Sequence, residues 1–248
     1  MTLKIEYAGL TDRGRVREQN EDNWAAYPAQ GLFIVSDGMG GEAAGEVASQ
    51  IVVETLPGML LKKMQSPATR KTAKKQLRSV LAELSDCVLN ETRYKPGLAG
   101  MGATAVVAWF RAPQMLIAHM GDSRAYLCRA GTLQQLTTDH SIVQLLIATG
   151  EINAKEAKTH PARAQITRYV GMSGGALPEA QSIEICDGDR LLLCSDGLTG
   201  MQSDEEILAV LNQNLSAAET CERLINAANE AGGRDNITVV ILSVSDEV

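Results

Sequence analysis

The hydrophobic and polar positions along the chain predict strands at both ends and helices between them. Short apolar or alternating runs such as LKIEYAGL, GLFIVSD and NITVVILSV are typical of strands. Apolar residues that recur every three or four positions predict a helix from Glu42 to about Met64, ending near Pro57-Gly58 or just past it. The same spacing predicts a second helix from about Thr69 to Tyr94.

In the second half of the chain, strand signals return and are separated by turn signals. The run RAYLCRAGTLQQLT predicts a hairpin that turns at Ala130-Gly131-Thr132, and SIEICDGDRLLLCSDG predicts another that turns at Asp187-Gly188. SIVQLLIATG predicts a short helix ended by Gly150, and serine caps predict helices in SDEEILAVL and SAAETCERLINAANEAGG. The polar segment from about Glu151 to Gln165 is expected on the surface as a flap. The simplest architecture is one α+β domain over residues 1–248, with strands in antiparallel sheets and helices outside.

Composition and charge narrow the functional class. The 248 residues are 45% hydrophobic and 21% charged, which is ordinary for a globular protein. A net charge of -7 argues against a nucleic-acid partner, because nucleic-acid-binding surfaces are basic. Five cysteines without a CxxC pair predict neither a disulfide framework nor a zinc site, which fits a reducing cytoplasm. The sequence shows no apolar leader and no run of about 18 apolar residues, so neither secretion nor a membrane location is expected.

The triplet Ser-Asp-Gly occurs twice, each time after an apolar run. Asp37-Gly38 follows LFIV, and Asp196-Gly197 follows LLLC. Asp122 in MGDSR, Asp235 in GGRDNIT and Glu21-Asp22 in REQNEDN lie in similar contexts at turns or strand ends. Any Asp-Gly pair alone is more typical of a turn than of a ligand. Taken together, these acids suit hard divalent cations, two of which can polarise one water and hold a phosphoryl group.

An ordered set of eight motifs extends over nearly the whole chain. They are GRVREQNED (14–22), FIVSDGMGG (33–41), GMGATAVVA (100–108), AHMGDSRAYL (118–127), LTTDHSIVQLL (136–146), ITRYVG (166–171), LLLCSDGL (191–198) and GGRDNITVV (232–240). A chain with this set resembles the metal-dependent serine/threonine protein phosphatases of type 2C, the PPM family, in their compact bacterial form. The resemblance implies an α-β-β-α sandwich of two antiparallel sheets flanked by helices.

The resemblance also implies a centre of two tightly bound Mn²⁺ or Mg²⁺ ions, with a third, weaker ion. Asp37 matches the aspartate that bridges the two tight ions, and the carbonyl of Gly38 matches a further ligand. Asp122 matches the ligand of the third ion, which is shared with Asp196. Asp22 and Asp235 match two further metal-site aspartates. Glu21 matches an acid that acts through a metal-bound water.

The implied reaction is hydrolysis of phosphoserine and phosphothreonine in proteins by a hydroxide that bridges the two ions. Asp37 and Arg17 are the predicted catalytic residues, because Arg17 matches the arginine that grips the substrate phosphate with its planar guanidinium. A surface ion pair with a neighbouring glutamate is the alternative role for Arg17. Met39 stands where many eukaryotic members have a histidine that protonates the leaving alcohol, so a metal-bound water is the favoured donor. His119 is interpreted as structural and His140 as a packing or capping residue. His160 is interpreted as part of the flap.

The expected partners are phosphorylated proteins, since the family usually opposes serine/threonine kinases of the eukaryotic-like type; a monomer is expected. The basic flap residues are interpreted as a recruitment surface, with a plain solvated surface as the alternative: Lys155, Lys158, His160 and Arg163. An alternative function is dephosphorylation of a dedicated stress-response regulatory phosphoprotein. A two-metal nuclease is disfavoured by the acidic charge, and a non-catalytic module by the presence of every matched metal ligand.

Overall fold

Two antiparallel sheets form the centre of the molecule in a computed structural model, which describes residues 3–40, 44–63, 70–94, 96–175 and 177–246. Within these residues the strands are β1 (Leu3–Asp12), β2 (Asp22–Tyr27), β3 (Leu32–Met39), β4 (Gly102–Ala103), β5 (Ala105–Arg111), β6 (Gln114–Met120), β7 (Arg124–Arg129), β8 (Thr132–Gln135), β9 (Glu179–Glu184), β10 (Arg190–Cys194) and β11 (Ile237–Asp246). The first sheet has the order β1-β11-β10-β7-β8. The second has the order β2-β3-β5-β6-β9, with β4 paired to β3.

The predicted hairpin in SIEICDGDRLLLCSDG is wrong. The chain does turn at Gly188, which has φ of 82°. However, β9 pairs with β6 in the second sheet, whereas β10 lies between β7 and β11 in the first. The turn therefore carries the chain from one sheet to the other. The predicted β7–β8 hairpin is confirmed, with Ala130 and Gly131 both at positive φ, as a tight hairpin turn requires.

The two sheets pack face to face because their strands are apolar on both sides. In β3, Phe33 and Val35 belong to the core between the sheets, while Leu32 and Ile34 belong to the core under the helices. Residues 191–194 of β10 alternate in the same way between the inter-sheet core and the core of the opposite helical layer. An uninterrupted apolar run is the pattern of a strand covered on both faces. This alternation explains why LFIV and LLLC carry no polar position.

Helices cover the outer face of each sheet. They are α1 (Ala44–Lys63), α2 (Arg70–Tyr94), α3 (Ile142–Ala148), α4 (Ala154–Ala157), α5 (Asp196–Thr199), α6 (Asp204–Leu211) and α7 (Ala217–Glu230). The first two pack on the second sheet, and α6 and α7 pack on the first. Pro57 lies inside α1, so that helix does not stop there. The predicted ends at Glu42, Met64 and Thr69 lie outside the described residues.

The predicted serine caps are confirmed. Ser203 opens α6 and Ser216 opens α7, and each forms a capping box with the glutamate three residues later. No helix in the described part of the chain has the length and apolar character needed to cross a membrane.

Candidate active site

Asp22 and Asp37 lie directly opposite each other on neighbouring strands. Asp22 is the first residue of β2, and its partner in the antiparallel register of β3 is Asp37. Side chains of directly opposite residues lie on the same face of a sheet, with Cβ atoms about 5 Å apart. Asp37 lies near the end of β3, as expected, although the strand continues through Gly38 to Met39. The strand pairing, rather than a turn, brings these two carboxylates together.

Three further aspartates reach the same place from connections at strand ends. Asp196 opens α5 after β10, Asp235 precedes β11, and Asp122 lies in the connection from β6 to β7, which crosses between the sheets. Burial raises the pKa of Asp37, and so does repulsion from all four other aspartates, Asp22 first. The pKa of Asp196 is also raised, first by burial and then by the charge of Asp235. Five predicted ligands therefore share one electrostatic environment.

Asp22 is the most enclosed of these carboxylates, with 3% of its surface exposed. Its Oδ2 atom accepts hydrogen bonds from the hydroxyls of Ser195 and Thr238, each at 2.7 Å. Its Oδ1 atom is buried and has no hydrogen-bond partner among the described residues. Burial raises the pKa of Asp22. An unpaired buried carboxylate oxygen costs free energy unless a cation or donor meets it.

These features fit hard divalent cations. The donor set consists of carboxylate oxygens, which Mg²⁺ and Mn²⁺ prefer, and it lacks thiolate or imidazole at its centre. The mutual repulsion that raises the pKa values of the aspartates is the repulsion that cations offset. The Oδ1 atom of Asp22 supplies one ligand position that no described residue uses.

Arg17 lies at the rim of the aspartate cluster. Its Nη2 atom donates to Oδ2 of Asp235 at 2.7 Å, and about half of the Arg17 side chain is exposed (49%). The alternative of an ion pair with a neighbouring glutamate is therefore not the contact that the structure shows. The backbone of Asn236 donates to the other oxygen of Asp235 at 2.9 Å. Arg17 thus faces both the predicted metal site and solvent.

Glu21 lies between the cluster and the start of α1. Its carboxylate accepts from the backbone N–H of Gly45, and burial raises its pKa. Its main-chain carbonyl accepts from the backbone N–H of Gly38 at 3.1 Å. Glu21 therefore ties the first Ser-Asp-Gly segment to a helix N-terminus, where a carboxylate is favoured.

Several polar residues that hold the site are not among the predicted site residues. Ser195 and Thr238 bind Asp22, as described above. The side chain of Asn236 accepts from the N–H of Glu21 and donates to the carbonyls of Arg13 and Gln19, all within 2.9 Å. It thereby fastens the segment that carries Arg17. All three residues lie inside the SDG and DNIT motifs, and this position was the only sequence feature that could have indicated their role. Residue type alone does not distinguish such hydroxyl and amide groups from those of ordinary turn residues.

His119, His140 and Glu179 form a separate cluster whose ligand atoms lie within 4.8 Å of one another. The two imidazole rings stack with centroids 4.5 Å apart and 16° between their planes. Nitrogen lone pairs lie in the ring plane, so nearly parallel stacked rings do not point at one cation. Arg168 also donates to Glu179 at 2.9 Å, and His140 Nδ1 accepts from the N–H of Gly121. The cluster is a hydrogen-bond network, which agrees with the structural roles expected for both histidines.

The segment expected as a flap lies on the surface. It contains α4, whose Asn153 cap forms a capping box with Glu156. Its basic side chains are exposed, except that His160 is half-buried and accepts from the N–H of Ala162. The base of the segment is anchored by a hydrogen bond from Ile142 N–H to the carbonyl of Gln165.

Comparisons with known proteins agree with this fold and site. The family model described as "Protein phosphatase 2C" matches residues 12–238. The serine/threonine phosphatase stp of Listeria welshimeri is 39% identical over 235 residues, covering 94% of this chain and 93% of that protein. The serine/threonine protein phosphatase PstP of Mycobacterium tuberculosis is 40% identical over 247 residues, covering 99% of this chain and 46% of that protein. The solved PstP catalytic domain in complex with two manganese ions has a TM-score of 0.84 at 38% identity and covers 99% of this chain and 100% of that one.

This chain therefore belongs to the protein phosphatase 2C family. The family and fold expected from the motifs are confirmed. The expected class of enzyme, a metal-dependent serine/threonine phosphatase that uses Mn²⁺ or Mg²⁺, is confirmed at the level of the family.

Proposed function

We propose that this chain hydrolyses phosphoserine and phosphothreonine in proteins, and that it opposes a serine/threonine kinase of the eukaryotic-like type. The observation that carries the proposal is that five aspartates from connections and strands of both sheets act on one another, with Arg17 bound to one of them, Asp235. Membership of the protein phosphatase 2C family supports the reaction class. The phosphatase names of the related bacterial proteins support the choice of substrate.

Asp22, Asp37, Asp196 and Asp235, together with the carbonyl of Gly38, would hold the two tight ions. Asp122 and Asp196 would hold the third ion. Glu21 would act through a metal-bound water rather than as a direct ligand. When bound, two divalent ions activate a water by lowering its pKa and offset negative charge on the phosphoryl oxygens. The protein's own contribution is to fix its carboxylates beforehand, through strand pairing and the hydroxyls of Ser195 and Thr238.

Arg17 binds the substrate phosphate in this proposal. Its contact with Asp235 leaves the guanidinium half exposed, so its remaining N–H donors face solvent where a phosphorylated loop arrives. A planar guanidinium pairs with two phosphate oxygens at once and stabilises the charge that collects on them during transfer. Met39 offers neither an acid nor a base, so it leaves the departing alkoxide to be protonated by another group.

The direct test is hydrolysis of matched phosphoserine, phosphothreonine and phosphotyrosine peptides with Mn²⁺, Mg²⁺ or EDTA. We expect release of phosphate from the first two peptides with either metal, and none with EDTA. Asp37→Asn should remove nearly all of the activity, whereas Asp187→Asn, at the exposed Asp-Gly turn between β9 and β10, should leave it unchanged. Equal hydrolysis by protein shown to be metal-free would refute the proposal.

The kinase relationship needs its own assay. A eukaryotic-like bacterial serine/threonine kinase, autophosphorylated and then freed of ATP, should lose phosphate on incubation with this chain and Mn²⁺. The kinase phosphorylated on tyrosine by another enzyme should keep its phosphate. Retention of phosphoserine and phosphothreonine by the kinase, alongside good peptide hydrolysis, would remove the kinase from the proposal and leave the phosphatase intact.

A further inference from the structure

Thr104 lies between two of the proposed metal-binding segments without being one of the ligands. It stands between β4 and β5, with 1% of its surface exposed. Its hydroxyl accepts a hydrogen bond from the backbone N–H of Asp37 at 2.9 Å. The same hydroxyl is 2.6 Å from the hydroxyl of Ser123, the residue next to Asp122. One side-chain oxygen therefore joins the segment of the bridging aspartate to the segment of the third-ion aspartate.

The main chain of Thr104 strengthens this connection. Its N–H donates to the carbonyl of Asp37 at 2.8 Å, so both backbone polar groups of Asp37 bind Thr104. Its own carbonyl accepts from the hydroxyl of Ser36 at 2.7 Å. The first Ser-Asp-Gly segment is thus held by Thr104 at two successive residues, Ser36 and Asp37.

The methyl group of Thr104 makes the complementary contact with the other segment. Gly121, which precedes Asp122, has φ of 107° and packs so closely that a Cβ atom there would lie 2.5 Å from the Thr104 methyl carbon. Only glycine combines that φ with that approach. Both branches of the Thr104 side chain therefore define where the Asp122 turn sits relative to Asp37.

We propose that Thr104 is a positioning residue that sets the separation of the Asp37 and Asp122 carboxylates and so couples the third ion to the two tight ions. The inference rests on the proposed function for the identity of those ions. Hydrogen-bonding partners behind metal ligands orient the ligands, and their loss typically costs about 10- to 100-fold in metal affinity or activity.

Two substitutions of Thr104 test the role of its hydroxyl separately from the role of its branched shape. Thr104→Val keeps the branched shape but removes the acceptor for the Asp37 N–H. Thr104→Ser keeps the hydroxyl and removes the methyl group. If the hydroxyl positions Asp37, the serine variant should behave like the original protein at the tight ions, whereas the valine variant should not.

The first measurement uses metal-free protein and needs no catalysis. Amide hydrogen exchange should show the Asp37 N–H protected in the original protein and in Thr104→Ser, and exposed to exchange in Thr104→Val. Calorimetric titration should then show that Thr104→Val binds Mn²⁺ at the tight sites at least about 10-fold more weakly than the original protein does. Thr104→Ser should bind Mn²⁺ with an affinity close to that of the original protein. Unchanged Mn²⁺ affinity in a folded Thr104→Val would overturn the proposal.

Thr220→Val is a matched control. Thr220 is also fully buried, and its hydroxyl accepts a hydrogen bond from Arg190. Arg190 begins β10, whereas Asp196 follows the opposite end of that strand. The same chemical change there should leave Mn²⁺ affinity unchanged. If Thr220→Val weakens Mn²⁺ as much as Thr104→Val does, the effect is general loosening of the fold and the positioning role is wrong.

Ser123→Ala keeps the inference testable if Thr104→Val does not fold. This variant leaves the acceptor of the Asp37 N–H in place and removes only the connection to the Asp122 turn. We expect tight Mn²⁺ binding to remain and the weaker Mn²⁺ to be lost, with kcat lowered and KM unchanged because Arg17 is untouched. Equal weakening of all Mn²⁺ sites would contradict this arrangement. Failure of the original protein to hydrolyse phosphopeptides would overturn the proposed function alone, because exchange and titration would still test Thr104.

Discussion

The two Ser-Asp-Gly segments have the same sequence but different local structures. Asp37-Gly38 lies inside β3, paired with β2 and β4. Asp196-Gly197 lies at the start of α5, directly after β10. The serines differ as well, because Ser36 donates to the carbonyl of Thr104 and Ser195 donates to the carboxylate of Asp22. An identical triplet therefore does not imply an identical turn.

The two glycines nevertheless serve the same purpose. A Cβ atom on Gly38 would lie 2.0 Å from the carbonyl oxygen of Gly45, and one on Gly197 would lie 1.9 Å from that of Asn236. Neither glycine is among those at positive φ. The turn that is typical of an Asp-Gly pair therefore does not account for these two glycines. At both places glycine lets another backbone approach the aspartate, so crowding around the site explains the repeated triplet.

The strongest test of the comparison is to neutralise each aspartate. Asp37→Asn and Asp196→Asn should each lower kcat with phosphopeptide by about 10³-fold, or about 4 kcal/mol in the barrier, because each removes a shared ligand charge. Circular dichroism should show both variants folded. If only one of them loses activity, the two segments do not belong to one catalytic centre.

The glycines provide the next largest effect. Gly38→Ala and Gly197→Ala should each lower the free energy of unfolding by about 3 kcal/mol, since the new methyl group meets a backbone carbonyl that cannot move aside easily. Urea unfolding would measure the loss. Gly58→Ala in α1, where a Cβ atom meets nothing within 4 Å, is the control and should be neutral or stabilising by up to about 1 kcal/mol. Wild-type stability in either site variant would show that the close approach is not required.

Arg17 tests whether the two segments serve one substrate. It donates a hydrogen bond to Asp235, and although burial acts to lower its pKa, the hydrogen bond and charge of Asp235, followed by the charges of Glu21 and Asp37, raise that pKa. Arg17→Ala should raise KM and lower kcat, reducing kcat/KM by about 30-fold, or about 2 kcal/mol. Arg17→Lys should recover part of this loss, since it restores charge without the planar fork. Kinetics of Arg17→Ala equal to those of the original protein would return Arg17 to the role of a surface ion pair.

The smallest effect concerns the stability of metal-free protein. Burial and mutual repulsion raise the folded-state pKa values of Asp37 and Asp196 above their ordinary value of 3.8. The folded state then holds more protons than the unfolded state above that pH, so stability falls as pH rises from about 4 toward 7. We expect a loss of about 1 kcal/mol over this window by urea unfolding, with a smaller loss in Asp37→Asn. Saturating Mn²⁺ should reverse the trend, and a metal-free protein whose stability rises steadily over the window would contradict it.

Much of the fold could be predicted from local pattern. The long helices, the capped helices and the β7–β8 hairpin each depend on residues close together in sequence. The predicted hairpin before Asp196 failed because a turn signal at Asp187-Gly188 says only that the chain reverses. Which sheet the next strand joins depends on partners distant in sequence, β6 for one strand and β7 and β11 for the other.

The candidate site divides in the same way. The acids could be predicted because they lie in an ordered set of motifs that resembles a known family. Their supporting groups were not, because a threonine such as Thr104 or Thr238 has an ordinary role in most strands. Only the packing shows that Thr104 touches two site segments and that Thr238 binds Asp22.

The sequence by itself determined the apolar character of the central strands and the set of ionisable groups, because these follow from residue type, and its ordered motifs indicated the family. The tertiary structure alone decided that Asp22 lies opposite Asp37 and that Arg17 contacts Asp235. It also decided that a backbone carbonyl from another segment packs closely against the glycine of each Ser-Asp-Gly triplet. Those contacts join residues up to 218 positions apart. Their geometry is set by the sum of strand pairings and core packing, which no local stretch of sequence contains.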